Sequence, residues 1–444
     1  MEVEIISQEI IKPSLPTPDH LKIFKRSFID QITGGYLVRF ISFYRRKESK
    51  LKINEVTNQL KTSLSQTLTR YYPLAGIYKD DSTIECNDKG ALFVTAHVHC
   101  NMNELINQPK FQQFHKLGTS SRFHGDGSFQ VSVQFNTFSC GGVAIFMCFY
   151  HMIMDITTIS VFLKCWAAMA SGSQDHESAF YYPEYKSAVL FPVKDSVPFG
   201  FSVIIKSLSL NEGRSTRKRF VFSSAAISDH LKVKGFSDPV PDPTSVEVVS
   251  SFIWKHAMAA AKAVQGVQEP SVLVHAADMR RRMVPPLPEY SAGNIISMII
   301  AEYDGIDECE VKFGRLVELL RVAKEENKNE FVPKIQSSKG YDVMMKSLEE
   351  WGKKCSRKGL NTYQFTCWCK MGLNQVDFGW GKPVWTSLVG VTEVESMYKN
   401  FVVLLDGSDG GIEAWLILEQ QEMAILESDQ DFLAYASLNP GIIS

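Results

Sequence analysis

A mixed α/β fold in two domains follows from three features of the sequence. The chain has 444 residues, more than the roughly 250–300 over which a single hydrophobic core keeps growing. Alternating or continuous apolar runs, which suit strands, are interleaved with stretches whose apolar residues recur every three or four positions, which suit helices. From Ser171 to Arg217 the sequence turns polar, carries Pro183, Pro192 and Pro198, and keeps no sustained period, as a crossover between domains does. The expected division is a first domain at 1–180, a crossover at 181–217 and a second domain at 218–444.

The elements follow in order. Residues 1–10 (MEVEIISQEI) alternate polar and apolar side chains and read as a strand. Pro13 to Pro18 (PSLPTP) breaks the chain, and an apolar stretch runs from Tyr36 to Tyr44. Val56, Leu60, Leu64 and Leu68 then recur every four residues in a helix. It must stop before Tyr71-Tyr72-Pro73, because proline disfavours helical backbone at the residue before it. Short strands are expected from Gly76 to Val98. Ser128 to Asn136 (SFQVSVQFN) alternates as a half-buried strand should. After Gly141-Gly142, Val143 to Tyr150 (VAIFMCFY) is a run of eight apolar residues that suits a buried strand. Ile159, Phe162, Leu163 and Trp166 fall at i, i+3, i+4 and i+7 of a helix. In the second half, a strand is expected at Arg219–Phe222, helices at Val246–Val264 and around Leu316–Ala323, and strands near Thr362–Lys370, Pro383–Val389 and Glu413–Glu419. The polar run KEENKNE reads as a solvated face or loop.

Composition narrows the function. With 47 basic and 49 acidic residues the formal net charge is −2, which gives no overall field to attract nucleic acid or an anionic membrane. A small-molecule partner is expected. The first residues lack the basic and apolar regions of a signal peptide, and no apolar run approaches the roughly 20 residues that cross a bilayer. Nine cysteines, an odd number spread through a long chain, argue against a secreted disulfide framework and for a reducing, cytoplasmic setting. His97-x-His99-Cys100 lies in an alternating segment where both imidazoles share one face, and Cys367-Trp-Cys369 lacks the two-residue spacer of a zinc knuckle. No metal site is expected.

The chemistry is expected at the junction after Tyr150. His151 ends the apolar strand, and Asp155 stands at or near the N-cap of the following helix, where a carboxylate accepts backbone N–H bonds and meets the positive end of the helix dipole. An imidazole with an ordinary pKa of about 6.5 can take a proton at neutral pH and return it. General-base help contributes about 10²- to 10⁴-fold, so such a site also needs reactant positioning and oxyanion stabilisation. Asp377-Phe-Gly-Trp-Gly381, followed by Lys382-Pro383, is a tight turn with an acid at its head. By itself it reads as structural, with Asp377 capping and Trp380 packed.

His-x-x-x-Asp at His151–Asp155 together with DFGWG at Asp377–Gly381 resembles the plant BAHD acyl-CoA-dependent acyltransferases, and within them the branch of vinorine synthase and salutaridinol acetyltransferase. The resemblance also rests on YYPLAGIY from Tyr71, FSCGGVAI from Phe138, KRFVFS from Lys218, VEVVSSFIWK from Val246 and WCKMGLNQVDFGWGKP from Trp368. It covers essentially the whole chain. It implies two domains related to chloramphenicol acetyltransferase, with mixed sheets flanked by helices, a long crossover loop and a tunnel between the domains. It also implies a monomer without a permanent cofactor, which uses an acyl-CoA, acetyl-CoA in this branch, and acylates a hydroxyl of an alkaloid or terpenoid. By carry-over His151 is the general base, Thr366 and Trp368 lie on the strand facing it, and the Thr366 hydroxyl helps stabilise the oxyanion. Asp155 is structural and paired with Arg280 in the stretch Asp278-Met-Arg280. Asp377, Gly379 and Gly381 hold the domain geometry, and Thr244, Ser245 and Ser251 lie near the CoA-contacting segment. The chain departs from the pattern at Tyr150, Met154, Ile156 and Asp278. Ile156 is strained if its position requires a positive φ. These departures motivate the alternative of a non-catalytic relative that binds a CoA ester or metabolite as a regulator or scaffold.

Overall fold

The computed structural model describes residues 1–33, 37–45, 52–118, 129–172, 182–194, 215–237, 239–305, 311–355, 357, 359–389 and 399–442. The strands used below are, in chain order, β1 (Val3–Ile11), β2 (Leu37–Tyr44), β3 (Ala91–Val98), β4 (Val131–Phe138), β5 (Val143–Tyr150), β6 (Ser215–Phe222), β7 (Ser271–Asp278), β8 (Ile296–Tyr303), β9 (Asn361–Cys367), β10 (Trp385–Leu388), β11 (Phe401–Asp406), β12 (Ile412–Glu419) and β13 (Ser437–Leu438). They form two large sheets, one in the order β1-β3-β4-β5-β2-β10 and the other in the order β8-β7-β9-β11-β12-β6-β13. Both are mixed, with β3–β4 parallel in the first and β7–β9 and β9–β11 parallel in the second. The two-domain α/β expectation with mixed sheets is met.

Helices α1 (Ile53–Arg70) and α2 (Ile156–Ser171) cover one face of the first sheet. Val56, Leu60, Leu64 and Leu68 of α1, spaced as the sequence predicts, are buried with Ile159, Phe162, Leu163 and Trp166 of α2, over Val131, Val133, Val143, Ile145 and Met147. The Trp166 indole N–H, which must find an acceptor once buried, donates to the Leu60 carbonyl and Ser63 Oγ, each at 3.1 Å. α1 stops at Arg70, just before the Tyr71-Tyr72-Pro73 breaker.

The opposite face of the first sheet meets the second sheet. Ile41, Phe43, Phe146, Cys148 and Trp385 pack there with Val403, Leu405 and Trp415. The half-buried expectation for β4 is corrected by its burial. Ser132, Gln134 and Asn136, the polar half of its alternation, are as deeply buried as the apolar half, and the Leu117 carbonyl, at the end of the segment Phe111–Leu117, accepts from Asn136 Nδ2 on that side. A second correction concerns Trp385–Leu388. Expected with the second domain, it pairs antiparallel with β2 and completes the first sheet, satisfying an edge that would otherwise carry unpaired backbone groups. The expected crossover is also shorter at its far end, where β6 already begins at Ser215. Residues 181 and 195–214 of it lie outside the described residues.

In the second half, α3 (Ser245–Gln265) and α4 (Phe313–Glu326) pack on the second sheet. The polar run after α4 departs from the solvated expectation at Asn327, which is buried and bonded to Ser297 of β8. Among the described residues no helix is long and apolar enough to cross a membrane, and no group of three or more His, Cys, Asp or Glu side chains could hold a metal ion. His97 and His99 do share a face, their rings 4.7 Å apart, but they turn to Thr137 and Glu4.

Candidate active site

β5 ends at Tyr150, His151 occupies the turn, and α2 starts at Ile156. Asp155 is the N-cap. Its Oδ1 accepts from the Thr158 N–H and from Thr158 Oγ1, each at 2.9 Å. A helix start leaves such N–H groups unpaired, so the cap serves α2 locally. The same carboxylate also reaches across the molecule. Arg280 Nη1 lies 2.7 Å from Oδ2 and Nη2 lies 3.1 Å from Oδ1, a bidentate pair, while the Ile295 N–H donates to Oδ2 at 3.1 Å. The two side chains are 3% and 1% exposed. The expected Asp155–Arg280 pair is therefore present and deeply buried.

Burial alone would push the Asp155 carboxyl upward, but the Arg280 charge and the donated N–H groups outweigh it and hold the carboxyl below its ordinary range. Asp278 turns out to be part of the same cluster. Its Oδ1 accepts from Arg280 Nη1 at 2.8 Å and from the Arg280 N–H at 3.2 Å. The arginine thus lies between two carboxylates, and this departure from the family pattern adds an ion pair.

His151 keeps part of its surface open, while its Nδ1 is buried without a hydrogen-bond partner. Burial lowers the imidazole's pKa, partly offset by the polar groups of its own backbone, by the Asp155 charge, by Asn294 and by the Asp30 charge. The neutral ring is favoured. A network absent from the sequence reading fixes the turn. Asn294 Nδ2 donates to the His151 carbonyl at 3.0 Å and to Asp30 Oδ1 at 2.9 Å, and the Asn294 N–H also donates to Asp30 Oδ1 at 2.9 Å. Asp30 Oδ2 accepts from the Ser27 N–H and Oγ. Gly293, Asn294 and Ile295 thus bind Thr158, Asp30, His151 and Asp155 within three consecutive residues. The only sequence signal for this clamp is polar residues lying 143 positions from the histidine, a separation that no local pattern reveals.

The other candidate positions fall into separate places. Thr366 is half-buried near the end of β9, in register with Val403. The Trp368 N–H donates to the Leu404 carbonyl at 2.7 Å, and its ring meets Phe40 edge-on at 6.2 Å, so the segment lies where the two sheets meet. A cavity between the sheets is lined by Arg219, Trp368, Trp385, Thr386, Leu405 and Glu413; His151 is not on its wall.

The DFGWG loop lies elsewhere. Asp377 Oδ1 accepts from the Gly379 N–H at 2.8 Å and the Gly381 N–H at 2.9 Å. Both glycines take positive φ, 103° and 109°, a conformation available to them without a Cβ penalty. Phe378 packs edge-on to Trp166, and a Cβ on Gly379 would stand 3.3 Å from the Ser171 Cα. Ser171 is the last of the 16 residues of α2. The loop is therefore roughly 24 Å from Asp155, at 1.5 Å of rise per residue.

Thr244 caps α3 in a reciprocal box with Glu247 and is exposed; Ser245 is half-buried. Ser251 is fully buried on the core side of α3, and its Oγ has no hydrogen-bond partner. Ile156 opens α2 outside the positive-φ region, so the strain considered for it does not arise. Met154 is buried in the first core and Tyr150 is partly buried.

Two mixed sheets, with a histidine between strand and helix held from both halves, are the architecture of a two-domain acyltransferase. The crystal structure of vinorine synthase matches it with a TM-score of 0.81, 29% identity and full coverage of both chains. That of TRI101 from F. sporotrichioides, complexed with coenzyme A and T-2, matches in fold with a TM-score of 0.69 and 16% identity, covering 94% of this chain and 99% of that one. Residues 1–433 match the Transferase family, and the chain belongs to it as a BAHD acyltransferase. Relatives include akuammiline synthase 2 of Alstonia scholaris, 33% identical over 100% of this chain and 98% of the relative, and limonoid 21-O-acetyltransferase of Melia azedarach, 36% identical over all of both.

Proposed function

We propose that this acyltransferase moves an acetyl group from acetyl-CoA to a hydroxyl of a plant specialised metabolite, with His151 as general base. The observation that carries this reading is the part-open imidazole, its neutral form favoured by burial, on a turn whose backbone carbonyl accepts from Asn294 of the second half of the chain. With Nδ1 buried, Nε2 is the nitrogen left to meet the acceptor. It takes the hydroxyl proton as the oxygen attacks the thioester carbonyl, and the tetrahedral intermediate carries its negative charge on the former carbonyl oxygen. The Thr366 hydroxyl donates to that oxyanion. Collapse breaks the C–S bond, and His151 returns the proton to the departing CoA sulfur. Atoms and charge balance without a covalent enzyme intermediate. Asp155 and Arg280 orient the turn and take no proton, since their pairing keeps both charged. Thr244 and Ser245, at the exposed start of α3, lie on the CoA side. The DFGWG loop acts on domain geometry from its distance.

The relatives' names favour limonoid and akuammiline-type alcohols as first acceptors. The test is to incubate the purified chain with acetyl-CoA, a panel of such alcohols and a thiol reagent. Free CoA is expected only when an acceptor is present, together with an acetylated product by mass spectrometry. CoA release independent of every alcohol, or tight binding without release, would overturn the reading.

A further inference from the structure

β4 carries two faces. Val131, Val133 and Phe135 lie under the helices, whereas Ser132, Gln134 and Asn136 are buried on the opposite face, and Gln130 continues that polar row by strand alternation. Three of the four polar groups are accounted for. Gln134 Nε2 donates to Asn136 Oδ1 at 2.9 Å, Asn136 Nδ2 donates to the Leu117 carbonyl at 2.9 Å, and Ser132 is also partnered. Gln130 is the exception. It is 1% exposed, yet neither its Nε2 nor its Oε1 has a partner. An orphaned buried polar atom destabilises a folded protein by its full desolvation penalty, so a carboxamide with both ends unpaired calls for a ligand.

Its location says which. The Tyr150 N–H donates to the Gln130 carbonyl at 2.9 Å, so Gln130 stands opposite the residue that precedes His151. Directly opposed Cα atoms in an antiparallel pair are about 4.5–5.5 Å apart, which puts the amide one residue's reach from the catalytic turn. A neutral amide offers one donor group and one acceptor. That suits a hydroxyl or a carbonyl, whereas the phosphates of CoA call for cationic partners.

We propose that Gln130 is a specificity-determining residue that hydrogen-bonds a second oxygen function of the acceptor, a hydroxyl or ketone close to the hydroxyl being acetylated. The preferred substrate class is then a polyoxygenated polycyclic alcohol rather than a simple one. This rests on the acetyl-transfer reading above, and turnover by the wild-type chain tests that reading separately.

The experiment compares the full chain with Gln130→Leu, using pairs of polycyclic alcohols that differ by one oxygen, such as a hydroxyketone and its deoxy counterpart. In the wild type, loss of that oxygen is expected to lower kcat/KM about 100-fold, because the amide is then left unpaired. Gln130→Leu should raise KM for the oxygenated alcohol about tenfold, leave KM for acetyl-CoA unchanged, erase the discrimination within the pair, and melt no lower than the wild type. Retained discrimination in Gln130→Leu overturns the proposal. So does a lower melting temperature with unchanged kinetics, which would mark the amide as the partner of a buried water. The rise in melting temperature that each alcohol gives in the two proteins reads the same contact without turnover; equal rises overturn it too.

Discussion

Asp155 and Asp377 head the two motifs of this chain, and each carboxylate accepts N–H groups from the residues just after it. Asp377 goes no further: its Oδ1 closes a loop over Gly379 and Gly381, and the surroundings are partly open to solvent. Asp155 caps α2 in the same local manner, but its carboxylate also takes Arg280 and Ile295, 125 and 140 residues away. One aspartate fixes a turn. The other fixes a turn and the position of the second half of the molecule against it. A short acidic motif therefore says little about reach, which depends on whether the carboxylate is buried with a distant cation.

The comparison breaks first on catalysis. His151→Ala is expected to lower kcat by about 10²- to 10⁴-fold while the unfolding transition is kept; a variant with most of its kcat would remove the general base from the HxxxD turn. Stability sharpens the contrast next. Asp155→Asn leaves Arg280 buried with Asp278 alone, at a cost of about 3 kcal/mol, whereas Asp377→Asn should cost about 1 kcal/mol. Urea unfolding measures both, and equal losses would mean the two aspartates do the same work. Gly379→Ala should cost about 1–3 kcal/mol, from the positive φ and the approach to Ser171, with kcat unchanged at temperatures where the variant is folded. A large loss of kcat there would bring the loop into the chemistry.

The smallest effect is the pH dependence. Burial lowers the pKa of His151, so the acid limb of kcat/KM is expected below the ordinary histidine value of about 6.5. His256 is likewise lowered, and His275 falls to about 4, both by burial. For a histidine depressed in the folded state, the unfolded chain takes the proton first. Stability is then full above about 6.5 and falls as the pH drops toward the folded values. Melting temperatures between pH 7.5 and 5 should fall accordingly, and His151→Ala should flatten part of that fall. An acid limb of activity above 6.5 would contradict the buried, neutral imidazole.

Much of the local structure was legible because it depends on neighbours in sequence. The eight apolar residues from Val143 give β5 with those bounds, the four-residue spacing gives α1, and Asp155 occupies the N-cap. These depend on strand and helix periods and on unpaired N–H groups at a helix start. The Asp155–Arg280 pair was reached by resemblance rather than by pattern. The strands β7, β8 and β11 were missed, since buried apolar runs such as SVLVHAAD carry no alternation to mark them.

By itself the sequence determined the strand, turn and helix that present His151, the tight loop at Asp377 and the mixed α/β class, because each is a matter of backbone preference and side-chain period over a few residues. Only the tertiary structure decided that Trp385–Leu388 completes the first sheet, that the polar side of β4 is sealed, and that Gly293 to Ile295 clamp the histidine turn from 140 residues away. Those outcomes depend on which surfaces meet across the molecule. Burial against distant segments turns an ordinary polar residue such as Gln130 or Asp30 into one whose every hydrogen bond matters, and no local period records that meeting.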